Sequence, residues 1–303
     1  MPYIVHFMKI TTAVRVFSFA LLLVVSACTS TNFTNPDIVT VATFNMEWLG
    51  DGNADDKKPR TEADYKRIAA VLENCKADII GVEEVENGMA LQHVLKYVEG
   101  YSYYVGKAGR QQNVGVLYRN TVTVTNPQEY MPVATRGERN RPGFVVNCRK
   151  GNFDWTMMVL HLKSTSRADS TDALREESFV NRREQAAKVA AWADSIITNT
   201  KEKDILIVGD MNDSPVRRNN PTLTPMTDNA NISFLTSSLT SCKNSSWNNI
   251  DHIIASQSAA KRWLPAAMHH YNFLAEYRAE EATMISDHCP VIGQFEITSP
   301  DND

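Results

Sequence analysis

The sequence predicts an α/β protein with one large core. Four apolar runs of strand character end in polar groups: Val39 to Glu47, Ile79 to Glu84, Met157 to Ser164 and Ile205 to Asp213. A fifth stretch, Ile285-Ser286-Asp287-His288-Cys289-Pro290-Val291, sets a carboxylate and an imidazole just before an apolar run. Between these runs lie stretches of helical period, and the 303 residues, 43% of them apolar, suffice for one large core or two modest ones. No short-period repeat, low-complexity tract or second domain is visible.

The first residues read as a targeting segment. Lys9 and Arg15 precede the apolar run Val16 to Val25, which is too short for a membrane span. It ends in Val25-Ser26-Ala27-Cys28, which resembles the lipobox of bacterial lipoproteins, where cleavage precedes a cysteine that then receives lipid. The alternative is an ordinary secretory signal with a chance cysteine. Thr29, not being aspartate, favours the outer over the inner membrane by the usual sorting pattern. The expectation is an exported, outer-membrane-anchored lipoprotein facing the periplasm or the cell surface, with signal 1–27, tether 28–37 and one folded domain 38–299. Removing 1–27 takes away two cations and no anions, so the net charge moves from −4 to −6. No block of like charge nominates a partner; no protein partner is implied, and a monomer is expected.

Of the cysteines after Cys28, Cys75, Cys148, Cys242 and Cys289 are too widely spaced for a zinc pattern and fix no connectivity. Export permits disulfides, but Cys75 and Cys289 are expected to be buried as small apolar residues.

In chain order, Ile38 to Phe44 is a strand delivering Asn45, Glu47 and Trp48. Asp51 to Asp56 is an acidic loop that lacks the glycine and closing glutamate of a calcium loop, and it reads as solvated. Thr61 to Cys75 is a helix, with Asp64 completing its cap. Ala77 to Val82 is a buried strand ending at Glu83-Glu84, and a helix from Met89 to Val98 carries a structural His93. Short strands follow at Tyr101–Val105, Val114–Tyr118, Val122–Thr125 and Phe144–Asn147. Arg136, Arg139 and Arg141 sit in a loop among them; their guanidinium forks match phosphate oxygens, although a solvated loop reads as well. Met157 to Leu162 is a strand and Asp172 to Ile197 a long helix. Ile205 to Val208 is a buried strand, and Val216 to Ser246 is irregular. Ile250 to Ile254 is a strand with one inward carboxylate, Asp251. Nothing is assigned around His269-His270, and Pro290 to Ile297 closes the chain as a strand.

Polar groups at the ends of buried strands are costly to desolvate without partners. Glu84 and Asp287 offer the hard oxygens that Mg²⁺ prefers, Asn45 and Asn212 orient without charge, and His161 and His288 can move protons or stabilise phosphorane charge. The set suits metal-assisted hydrolysis of a phosphoric ester.

The ordered series T-F-N-M-E (43–47), I-I-G-V-E-E-V (79–85), H-L-K-S (161–164), G-D-M-N-D (209–213), I-D-H-I-I (250–254) and S-D-H-C-P-V (286–291) resembles the endonuclease/exonuclease/phosphatase superfamily over residues 38–297. The resemblance implies a four-layer α/β/β/α sandwich, two packed mixed β-sheets flanked by helices as in deoxyribonuclease I. It implies Asn45, Glu84 and Asp287 as ligands of Mg²⁺ or Mn²⁺. Asp210 and Asn212 would lie around the scissile phosphate, with His288 as base or transition-state stabiliser held by Asp251 and His161 as donor on the far side. Three departures stand out. Glu83 replaces a common glutamine, and His252 replaces a common tyrosine at a position facing away from the reaction. The glutamate that pairs with the first histidine in deoxyribonuclease-I-like members has no visible counterpart between Tyr101 and Arg119. Arg182 and Gln185 match a helix pattern of bacterial relatives, R-x-x-Q-A, with a surface ion pair as the alternative. The implied activity is nuclease action on DNA. The alternatives are a phosphatase or a phospholipid (sphingomyelinase-type) phosphodiesterase on the same scaffold. A non-catalytic binding lipoprotein is expected to have lost Glu84, Asp210 or His288, and all three are present.

Overall fold

A computed structural model describes Met1 and residues 35–301; residues 2–27 of the expected signal, Cys28 and residues 29–34 of the tether lie outside the described residues. The described elements run β1 (Ile38–Leu49), α1 (Glu62–Cys75), β2 (Ile79–Val85), α2 (Gly88–Leu95), β3 (Tyr101–Val105), β4 (Asn113–Arg119), β5 (Thr123–Tyr130), β6 (Gly143–Lys150) and β7 (Phe153–His161). There follow α3 (Asp172–Asn199), β8 (Ile205–Asp210), α4 (Thr224–Thr227), β9 (Ile232–Phe234), β10 (Asp251–Ser256), β11 (His269–His270), α5 (Ala279–Ile285) and β12 (Val291–Glu296).

The strands form two mixed six-stranded sheets, ordered β11-β12-β1-β2-β4-β3 and β5-β6-β7-β8-β10-β9. Strand alternation divides the core into three apolar layers. Val39 and Val41 of β1 face Met157, Val159, Leu206 and Val208 of the other sheet. Ala42 and Phe44, of opposite parity, pack instead under Tyr65, Ile68 and Leu72 of α1. Met158, Leu160, Ile205 and Ile207 turn outward to meet Ala186, Val189 and Ala193 of α3. The result is helix, sheet, sheet, helix: the expected four layers.

Local chemistry explains the helix ends. Thr61 and Asp64 form a reciprocal capping box on α1, and Asn87 accepts from Met89 N and Ala90 N at the start of α2. His93 is satisfied as expected: it stacks on Tyr65 at 5.0 Å, and its Nε2 lies 2.9 Å from Asp51 O.

Some expectations need correction. β5 runs on to Tyr130, through Pro127, because it is an edge strand with a register shift between Thr125 and Gln128, where a missing N–H costs no ladder bond. Residues 216–246 are not wholly irregular, since α4 and β9 lie within them. His269 and His270 add two residues to the edge of β12, too few to show a period. Cys289 does not stay a free buried thiol but pairs with Cys242, whereas Cys75 and Cys148 are free and buried. Arg182 and Gln185 are not a surface pair: both are buried, at 1% and 0% exposure.

Gly81 of β2 packs closely against the other sheet. A Cβ there would lie 2.5 Å from Val208 Cγ2 and 3.2 Å from Val159 Cγ1.

Candidate active site

Parity alone brings most of the site together. Residues 39, 41, 43 and 45 of β1 share one face, as do 157, 159 and 161 of β7, 206, 208 and 210 of β8, and 251 and 253 of β10. Their apolar members fill the gap between the sheets. Asn45, His161 and Asp210, last in their series, and Asp251, first on the antiparallel β10, therefore enter the same seam at one end, and all are buried.

Glu84 has the wrong parity, and backbone geometry corrects it. The register slips between Val82 and Val85, and Glu84 takes φ 58°, a left-handed conformation unusual for a residue with a Cβ. A matching irregularity between Asn45 and Leu49 puts Glu47 at φ 44° and Trp48 at φ 56°. Trp48 N then donates to Glu84 Oε2 at 3.1 Å, and Asn45 Nδ2 donates to Glu84 Oε1 at 3.3 Å and Asp210 Oδ2 at 3.1 Å. Arg60 fastens this turn: its guanidinium donates to the carbonyls of Met46, Glu47 and Trp48, and also to Met284 and Ile285 just before the Asp287-His288 loop. Such local strain persists only where surroundings hold it, and it concentrates at working sites. Sequence periodicity gives no sign of either bulge or of Arg60.

Across the seam, His288 Nδ1 lies 2.9 Å from Asp251 Oδ2 and 3.0 Å from Oδ1, so the other ring nitrogen points into the cleft, 3.9 Å from Asp210 Oδ2. Burial alone would lower the His288 imidazole, but Asp251, with Asp210 and Asp287 nearby, outweighs it and holds the group well above its ordinary value. Burial raises Asp210 to about 7, with Asp251 and Glu84 adding repulsion against the relief from His288. Asp210 Oδ1 accepts from Asn212 N at 2.8 Å, and the Asn212 amide donates to Leu162 O at 3.1 Å, placing this residue, at φ 51°, on the cleft floor. Glu83 lies beneath, fully buried. It accepts from Thr43 Oγ1 at 2.7 Å, its Oε2 has no partner, and burial pushes its carboxyl well up.

His161 reaches the same seam, its Nε2 3.6 Å from Glu84 Oε1 and 3.5 Å from Asp210 Oδ2. Among the described residues no glutamate meets its Nδ1. Arg141 Nη2 stands 2.9 Å from Nε2, the ring's Nδ1 is unpartnered, and burial together with the Arg141 charge holds the imidazole well below its usual value. Since a guanidinium only donates, His161 accepts there. The three loop arginines part company: Arg141 reaches His161 and, with Arg139, lines an adjoining cleft, whereas Arg136 is bound to Glu184 at 2.5 Å. Asp287 sits at the rim, half exposed, with Oδ1 3.6 Å from His288 Nε2 and Oδ2 3.1 Å from Lys243 Nζ. His252 faces away, bonded to Thr236 Oγ1 and Asn249 O, with burial lowering it to about 4. Arg182 and Gln185 support the site from behind, holding Lys163 O at 2.7 Å and Lys163 N at 2.8 Å.

The donors fit a hard cation. Glu84 and Asp210 both accept from the Asn45 amide and both lie within 3.6 Å of the His161 Nε2, so this side of the seam offers the hard oxygens that a divalent ion prefers. Asp210, Asp251 and His288 also bring one donor atom each within 4.8 Å of one another and could hold an ion. Every one of these carboxylates already accepts hydrogen bonds: Asp251 from His288, Glu84 from Asn45 and Trp48, and Asp210 from Asn45 and Asn212.

Carboxylates, amides and imidazoles in the seam of a two-sheet sandwich are the equipment of a phosphoric-ester hydrolase. The chain belongs to the Endonuclease/Exonuclease/phosphatase family, whose model matches residues 42–288. Members of this family are phosphoesterases that use divalent metals. No curated protein matches the sequence significantly. Among solved structures, truncated Caenorhabditis elegans TDP2 is similar at 16% identity and TM-score 0.61, with 86% of this chain and 98% of that one covered. D. rerio TDP2 complexed with a single-strand DNA product has 14% identity and TM-score 0.60, covering 86% and 99%. A Bacteroides thetaiotaomicron mannosyl-6-phosphatase has 15% identity and TM-score 0.57, covering 84% and 98%. At these identities the likeness concerns the fold.

Proposed function

We propose that the chain is a Mg²⁺- or Mn²⁺-dependent phosphodiesterase that cuts DNA by attack of water on phosphorus. The observation that carries the reading is the meeting of two half-sites: Asn45 and Glu84 from one sheet, and Asp210 with the Asp251–His288 pair, within one seam. Glu84, with Asp287 at the rim, would hold the metal, and the Asn45 amide, donating to Glu84 and Asp210, would orient the carboxylates around it; the metal when bound polarises the phosphoryl group and neutralises its charge. Asp210 accepts a proton from, or orients, the attacking water. The imidazole of His288, held in one tautomer by Asp251, donates to a phosphoryl oxygen as charge builds there. Arg141 supplies a second fixed cation, and His161, accepting from it, orients the guanidinium. The TDP2 bound to a DNA product supports a nucleic-acid substrate, and the mannosyl-6-phosphatase marks a phosphatase as the competing reading.

A hydrolysis panel of DNA, RNA, sphingomyelin and sugar or inositol phosphates with Mg²⁺ tests this, run beside Glu84→Ala. Strand cleavage lost in the variant is expected. Release of inorganic phosphate from monoesters with all DNA left intact would overturn the nuclease reading.

With this reading we keep the export and lipid anchoring at Cys28. Fractionation of Cys28→Ala is expected to shift the protein from membranes to the soluble fraction, and an unchanged distribution would end the anchor.

A further inference from the structure

The segment between β9 and β10 is folded back on itself and fastened to the catalytic loop. Thr240 and Asn248 form an antiparallel bridge, Ser241 N donates to Trp247 O at 2.9 Å, and Trp247 N donates to Asn244 O at 2.9 Å. This small hairpin grips both neighbours of His288. Cys242 is disulfide-bonded to Cys289, and Lys243 Nζ lies 3.1 Å from Asp287 Oδ2. Its position relative to the reacting groups is therefore fixed on both sides.

The hairpin presents Trp247 to solvent. The indole is 58% exposed, whereas Trp155 and Trp192 are 0% and 5% exposed, and it belongs to none of the apolar clusters. It forms a wall of a cleft of about 330 Å³ that Asn212, Asp251 and His288 also line. A large aromatic surface held rigidly in water, contributing nothing to core packing and opening onto reacting groups, is built to cover something flat. The net charge of −4 sharpens the point. Affinity for a polyanion from neutralised phosphates is limited in a protein of net negative charge, so a strand gains from other means of attachment beside Arg141 and Lys243. Stacking supplies them, because every base has a π-face.

We propose that Trp247 is the base-stacking platform of this site, with the unpaired nucleobase next to the scissile phosphate lying on its indole. The inference rests on the nucleic-acid reading above and narrows it to strands with an accessible base, since a base inside a duplex has both faces covered.

The test compares wild type, Trp247→Phe and Trp247→Ala on a short single-stranded oligothymidylate and on the same strand with tetrahydrofuran abasic residues flanking one phosphate. In Trp247→Ala, KM for the base-bearing strand is expected to rise about 5- to 150-fold, the range a single stacked base supplies, with kcat little changed. Phenylalanine should retain most of the affinity, and cleavage at the base-free phosphate should be the same in all three. Equal loss on both substrates, or no loss on either, overturns the assignment. So does a KM effect seen only on sugar phosphates, which would put a sugar face on the indole. A second measurement needs no turnover: with EDTA present, oligothymidylate should quench the tryptophan fluorescence of wild type much more than that of Trp247→Phe. Failure of any DNA cleavage by wild type would sink the nuclease reading alone, whereas equal quenching in the two proteins would sink the stacking platform.

Discussion

His288→Ala is expected to lower kcat by about 10²–10⁴-fold, the range for removing a positioned proton-transfer group, with little effect on folding. The ring is part-exposed at the cleft and its main bonds run to Asp251, so little packing is lost with it. Asp251→Asn should reproduce much of the loss, because an amide can bond Nδ1 but neither fixes the tautomer nor balances an imidazolium. The checks are steady-state cleavage with Mg²⁺ and circular dichroism of both variants. Activity within tenfold of wild type in a folded His288→Ala protein would remove His288 from the mechanism and, with it, the reading of the seam as catalytic.

Asp210→Asn should separate function from stability. Hydrolysis is expected to fall by about 10²–10⁴-fold if this carboxylate handles the water. Without metal, however, the variant should be more stable than wild type at pH 8. The folded-state pKa of Asp210 is raised to about 7 from an ordinary 3.8, chiefly by burial. The folded protein therefore binds this proton more tightly than the unfolded chain does. Stability tied to it is fully present below about pH 4 and is lost as pH rises through about 7. Asparagine removes that loss. The His288–Asp251 pair slopes the same way, since a raised histidine stabilises below its unfolded pKa and loses the contribution as pH rises through its folded one, and this part should persist in the variant. In EDTA, the Tm of Asp210→Asn should exceed that of wild type at pH 8, by about 2–4 °C per kcal/mol, with the gap closing towards pH 4. Added Mg²⁺ should stabilise wild type more than the variant. A variant that is less stable than wild type at pH 8 in EDTA would show that the buried charge is not the cost described.

Much of this arrangement was legible in the sequence, and the physics says which parts. Strand runs that stop at polar residues announce themselves, because a buried strand end bearing Asn45, Asp210 or Asp251 has no cheap explanation outside a site. The capping box at Thr61 and Asp64 is local and was readable for that reason. What escaped depends on pairings far apart in the chain. The parity of Glu84 is reversed by a bulge, and the Arg60 clamp that fastens the facing turn of β1 lies 24 positions upstream. The Cys242–Cys289 bond cannot be chosen from spacing. Arg141 looked like its loop neighbours Arg136 and Arg139, and only the folded chain aims it at His161 while Glu184 takes Arg136. Trp247 lies in a polar stretch without period, where an exposed indole leaves no pattern.

Gly81 carries a consequence for the whole site. Glu84 belongs to one sheet and Asp210 to the other, three residues past Gly81 and two past Val208, a pair in close approach across the seam. The absent methyl acts as a shim: the spacing of the two slabs is set deep in the seam, and the reach between the catalytic halves is inherited from it. The metric of the reaction centre is thus written in a residue that touches none of its chemistry.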